Sequence, residues 1–91
     1  MRNLFSSRAW SDYLWWQGSD AAGLTKLNAL IESCRRAPFA GIGKPEPLKR
    51  DLAGYWSRRI TSEHRLVYRV SGAGADQQLE ILQCRFHYPQ V

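Results

Sequence analysis

Tyr55-Trp56-Ser57-Arg58-Arg59-Ile60, then Thr61-Ser62-Glu63, then His64-Arg65-Leu66-Val67-Tyr68-Arg69-Val70 is the stretch that decides the fold. Its outer runs are rich in aromatic and branched residues. Side chains of different character alternate along them, which is the two-residue period of a strand. The three residues between them join the two runs tightly, so they pair as antiparallel neighbours. Beyond them, Ser71-Gly72-Ala73-Gly74-Ala75-Asp76 is a flexible hairpin tip, and Leu79 to Phe86 reads as a third strand.

Upstream the period is helical. Between Arg8 and Gln17 or Gly18, Trp10, Tyr13 and Leu14 fall at i, i+3, i+4. Trp16 comes one position early for a strict turn and Trp15 lies off the stripe. Ser6 or Ser7 caps this helix. Gly18-Ser19-Asp20 interrupts it, and Asp20 caps a second helix in which Leu24, Leu27, Leu30, Ile31 and Cys34 recur on one side. Arg35 and Arg36 meet the negative end of its dipole. Residues 2–5 form a short first strand. Between the helices and the later strands, residues 37–47 hold three prolines and two glycines, which excludes a helix or a central strand and fixes an ordered loop. The order is strand, helix, helix, three strands. That is one α+β domain over residues 1–91, a helical hairpin packed on a mostly antiparallel, twisted sheet.

Ninety-one residues with four Trp, four Tyr and three Phe supply the apolar bulk for one core. Cys34 and Cys84 make no C-x-x-C pair and read as buried thiols in a reducing cytosol. No run of apolar residues is long enough to span a membrane, and Met1 to Ser6 lacks a signal-peptide core, which points to the cytoplasm. The charge is concentrated. Of a net +5, residues 35–69 contribute +6, while residues 1–34 balance to zero and residues 70–91 carry −1. One basic segment of this kind suits a polyanion, because each neutralised phosphate releases counterions.

With the helices on one face, the twisted sheet leaves its other face open and concave. Alternation assigns side chains to it. Arg65, Val67 and Arg69 share one side of their strand. Gln83, Arg85 and His87 share one side of the last, and Ser57 and Arg59 alternate with Trp56, Arg58 and Ile60. Arg59, Arg65 and His87 then converge, with Glu46 and Lys49 entering from the proline-rich loop. RNA scission by its own 2′-hydroxyl needs such a set. A base takes the 2′-OH proton, an acid protonates the departing 5′-oxygen, and cations hold the phosphate. Glu46 is the natural base, His87 the acid and Arg65 the planar phosphate clamp, with Lys49 and Arg59 positioning the backbone. The nucleophile belongs to the substrate, so neither metal nor cofactor is required, and no His/Cys/Asp/Glu cluster has metal-ligand spacing. Spacing alone reaches only a basic α+β domain suited to RNA.

Specific words carry the reading further. Arg35-Arg36-Ala37-Pro38-Phe39-Ala40-Gly41, Gly43-Lys44-Pro45-Glu46-Pro47-Leu48-Lys49, Gly54-Tyr55-Trp56-Ser57-Arg58-Arg59-Ile60, Glu63-His64-Arg65-Leu66-Val67-Tyr68 and Cys84-Arg85-Phe86-His87-Tyr88 resemble the YoeB/Txe group of the RelE superfamily, as does Trp10 to Gln17. The resemblance covers nearly the whole chain in order. It implies a microbial-ribonuclease-like, RelE-like fold and cleavage of mRNA in the ribosomal A site. It also implies a YefM-like antitoxin as partner, and a homodimer. Carried over by position, it implies Glu46 as general base, His87 as general acid and Arg65 as phosphate stabiliser. Lys49, Arg59 and Tyr88 fall on substrate-contacting positions. Two departures stand out: the tip at Ser71–Asp76 is longer than usual, and Pro89-Gln90-Val91 follow Tyr88, where they bear on how the tail seats His87. Two other readings are a gyrase-directed toxin of the ParE type, which lacks the acid–base pair, and an inactive RNA or ribosome binder.

Overall fold

A computed structural model describes residues 1–87. The elements are β1 (Arg2–Phe5), α1 (Ser7–Ser19), α2 (Ala21–Arg36), β2 (Glu46–Pro47), β3 (Trp56–Arg59), β4 (Arg65–Ser71) and β5 (Gln78–Gln83). Single 3-10 turns stand at Arg50–Leu52 and Gly74–Asp76. The strands form one sheet in the order β1-β5-β4-β3-β2. Only β1 and β5 run parallel; the other neighbours are antiparallel.

Each helix starts at a side-chain cap. Ser6 Oγ accepts from Ala9 N (2.9 Å) and donates to Leu82 O (2.6 Å), tying the start of α1 to β5. Asp20 Oδ1 accepts from Gly23 N (2.9 Å) at the start of α2. Gly23 lets α2 pass against the Trp16 ring of α1, with which a Cβ there would collide. The helical pair buries Ala9, Trp16, Leu27, Leu30, Ile31 and Cys34 against Leu66, Tyr68, Leu79 and Ile81 of the sheet. Each of the large apolar groups contributes about 1.5–3 kcal/mol by leaving water. Both cysteines are free thiols and buried.

Three expectations need correction. First, α1 does not bury Trp10 or Leu14, which stay 50% and 47% exposed. Its inward residues are Ala9, Asp12 and Trp16. The reason is polar. Asp12 Oδ2 accepts from Cys84 N (3.1 Å) and Trp16 Nε1 donates to Cys84 O (2.7 Å). Those two side chains satisfy the backbone of a buried residue just beyond β5, so α1 turns Asp12 and Trp16 inward and leaves Trp10 and Leu14 outside. Second, the loop of residues 37–47 ends in a strand, because Glu46 and Pro47 pair with Ser57 and Trp56 at the sheet edge. An edge strand tolerates proline, whose missing N–H is needed only in a central one. Third, the last strand stops at Gln83 rather than Phe86, with a register shift against β4 between Val67 and Tyr68.

Burial also sets the response to alkali. Desolvation pushes the Cys84 thiol up to about 12, with the Asp12 charge adding to it. Desolvation likewise pushes the Tyr68 hydroxyl up to about 12, against the opposing hydrogen bond from Arg58. Both groups keep their protons in the fold at pH values where the unfolded chain has lost them. Stability is therefore full below about pH 9 and falls as pH rises towards about 12, by up to about 1.4 kcal/mol per pH unit for each group. Denaturant midpoints measured from about pH 8 to about pH 11 are expected to fall steadily; a flat profile contradicts this.

Candidate active site

The register assembles the sheet face away from the helices, which alternation predicts to be open but which buries Ser57, Val67, Gln83 and most of Arg65. Glu46 lies opposite Ser57, Ser57 opposite Val67, and Val67 opposite Gln83, one row across four strands. Directly opposed residues project to the same side. In the next row Arg59 lies opposite Arg65. Strand spacing and rise put the Glu46 and Arg65 backbones roughly 12 Å apart, so a carboxylate and a guanidinium reaching inward leave room for one phosphate. The opposition of Arg59 and Arg65 is costly in a free sheet, since like charges directly across a ladder destabilise it. Among the described residues neither forms an ion pair.

Arg65 is nearly buried, 9% exposed. Its Nη1 donates to Thr61 O (2.8 Å), Ser62 O (3.2 Å) and His64 O (3.1 Å), which fixes both the β3–β4 turn and the guanidinium. Thr61 Oγ1 tightens the same turn by accepting from Glu63 N and His64 N. All three Arg65 side-chain bonds use Nη1. The Nε–Nη2 edge is the planar fork suited to two phosphate oxygens.

Glu46 reaches this face because a buried arginine holds its loop. Arg58 is fully buried on the helix side of β3. Its Nε donates to Tyr68 Oη (3.0 Å) and Nη1 to Ser33 Oγ (2.7 Å) and Ile42 O (3.1 Å). Nη2 donates to Ala37 O (2.7 Å) and Ala40 O (2.9 Å). All five guanidinium hydrogens are thus used. Tyr68 Oη in turn donates to Pro38 O (2.6 Å). Alternation had placed Arg58 off the polar face, but nothing in the sequence signalled that it organises the loop. Gly41 passes this cluster at φ +114, where a Cβ would stand 2.6 Å from Ser33 Oγ. Gly41→Ala is expected to lower stability by more than about 1 kcal/mol. A thermal melt unchanged by that substitution contradicts the packing described.

His87 follows β5 after an irregular turn. Phe86 adopts φ +65. Its N donates to His64 Nδ1 (2.7 Å) and its O accepts from Arg65 N (2.9 Å). His64 is therefore structural, with its ring against Trp15, Trp16 and Phe86. Gln83 Nε2 donates to Arg85 O (3.3 Å) and His87 O (3.1 Å). Gln83, Arg85 and His87 do not share the one face that alternation predicts, since Gln83 lies opposite Val67 while Arg85 turns to the helix side. With the strand ended, the Arg85 guanidinium lies 3.8 Å over the Trp15 ring, on the side of α1. Lys49 and Arg59 are exposed, Lys49 just before the Arg50–Leu52 turn. Tyr88 lies outside the described residues. Among the described residues no group of three His, Cys, Asp or Glu is placed to hold a metal ion. None of the described helices is long and apolar enough to cross a membrane.

A family model of the YoeB-like toxin of bacterial type II toxin–antitoxin systems matches residues 5–88. The chain belongs to the YoeB-like toxin family. Toxin YoeB of Synechocystis sp. is 56% identical over 88 residues, covering 97% of this chain and 98% of that one. Among solved structures, a YoeB/ParE toxin from Agrobacterium tumefaciens is 60% identical with TM-score 0.94, covering 97% of this chain and all of that one. Staphylococcus aureus YoeB, at 44% identity, has been solved as a dimer (TM-score 0.86) and in a heterotetrameric YoeB–YefM toxin–antitoxin complex (TM-score 0.85). Each covers 97% of this chain and 98% of its own. The YoeB-like fold thus matches the strand-helix-helix-strands reading, with β2 added at the edge.

Proposed function

We propose that this YoeB-like toxin is a metal-independent endoribonuclease that cleaves mRNA in the ribosomal A site and so stops translation. Glu46 takes the 2′-OH proton, and the freed oxygen attacks the adjacent phosphorus. The 2′,3′-cyclic phosphate forms as the 5′-oxygen leaves with a proton from His87. Arg65 holds the non-bridging oxygens as their charge builds. Lys49, Arg59 and Tyr88 hold the RNA backbone and flanking bases. The observation that carries this reading is the pair of opposed, unneutralised arginines one row from Glu46, a charge arrangement that an anionic ligand relieves.

A YefM-like antitoxin restrains the toxin and two copies associate, a reading supported by the Staphylococcus aureus complex and dimer. The site of action is the cytoplasm, where translating ribosomes are. The ParE-type reading is weaker, because a gyrase inhibitor has no use for a carboxylate and an imidazole flanking an arginine fork. The test is purified toxin added to ribosomes stalled on a defined mRNA. Wild-type protein is expected to cut the mRNA, and the Glu46→Ala, His87→Ala double variant is not. Equal cutting by both, or full toxicity of the double variant in cells, refutes the assignment.

A further inference from the structure

We propose that Gln83 is a positioning residue that sets where His87 stands. The inference rests on His87 being the acid in the reaction above. It begins with the β4–β5 ladder. Val67 pairs with Gln83 but Tyr68 pairs with Ile81, so Leu82 is an extra residue in β5. That bulge breaks the alternation. Leu79 and Ile81 face the core, and without the extra residue Gln83 would follow them there. With it, Gln83 stands in the row of Val67, Ser57 and Glu46, on the face of the candidate site.

There the side chain is 2% exposed, and its amide nitrogen donates to Arg85 O and His87 O. Both of its hydrogens therefore go to the tail. An amide buried without such partners is costly, so the position suits glutamine only while the tail is seated. Packing alone would favour an apolar residue there, since its neighbour Val67 is apolar and fully buried. The preceding residue is already anchored, with Phe86 N on His64 Nδ1 and Phe86 O on Arg65 N. Those two bonds fix the turn at φ +65. The Gln83 bond then extends the fixed segment to the carbonyl of His87 itself.

The test compares wild type with Gln83→Met, which keeps length and volume, and Gln83→Glu, which keeps shape but replaces both donors by acceptors. Cleavage of ribosome-bound mRNA gives kcat, KM and the pH profile, in otherwise native protein and in a His87→Ala background. The expected result is a roughly five- to tenfold fall in kcat, the loss of about one hydrogen bond. KM should change less than about twofold and the alkaline limb of the pH profile should move. The loss should disappear when His87 is already alanine. Wild-type kcat in a folded variant overturns the proposal. So does an equal loss in the His87→Ala background, which marks a purely structural role. If His87→Ala alone cuts at the wild-type rate, the assignment of the acid fails instead, and that outcome is separately visible.

Discussion

Arg58→Ala is expected to cost about 3–5 kcal/mol of stability, because buried acceptors that lose their donor cost about 1–3 kcal/mol each until the loop opens to water. The substitution strands Ser33 Oγ, Tyr68 Oη and the carbonyls of Ala37, Ala40 and Ile42, five acceptors that now share one guanidinium. Opening is the cheaper outcome, and it carries Glu46 away from the sheet. The variant should therefore lose cleavage as well as stability. Arg58→Lys should recover little, since three donors on a point charge cannot replace five in a planar fork. Denaturant unfolding of the three proteins measures this. A loss below about 1 kcal/mol for Arg58→Ala contradicts the role given to the arginine.

The second large effect is on rate with little change in stability. Glu46→Gln and His87→Gln are each expected to lower single-turnover cleavage by about 10²–10⁴. Both residues are exposed, so neither change empties the core. The glutamines preserve size and hydrogen bonding but can neither accept the 2′-OH proton nor deliver one to the 5′-oxygen. The double variant should be no worse than the poorer single one, because base and acid act within one transition state. Arg65→Ala should fall by about 10²–10³ through loss of charge stabilisation. It should also loosen the turn whose three carbonyls Nη1 holds. Rates within tenfold of wild type for both single glutamine variants would overturn the acid–base assignment.

Legibility from sequence followed how local each determinant was. The run of residues 64–70 announces a strand by alternation, found at Arg65–Ser71, and Leu27, Leu30, Ile31 and Cys34 announce the buried face of α2. Both signals lie within one element. The caps at Ser6 and Asp20 were readable for the same reason. What was hidden depends on distant partners. Asp12 faces inward because it meets Cys84 N, seventy-two residues away. Glu46 and Pro47 form a strand because β3 offers them an edge, which prolines conceal. The bulge at Leu82 leaves no local mark, so alternation carried Gln83, Arg85 and His87 along together, and only Gln83 joined the site row. Arg58 could be assigned to a face, but its task depends on a loop that contacts it only after folding. Of the candidate site, residue types and the family resemblance pointed to Glu46, Arg65 and His87. The register then supplied the relation of Glu46 to Arg65, and the seat of His87 came from the turn at Phe86.

Mapping mRNA 5′ ends after brief induction bears most directly on the central claim, that this face performs 2′-OH scission on ribosome-bound message. Wild-type toxin is predicted to give new 5′ ends at fixed positions within codons of translated regions, absent with the Glu46→Ala, His87→Ala variant. Growth arrest with DNA damage and no new mRNA ends, or identical ends from the double variant, would contradict it.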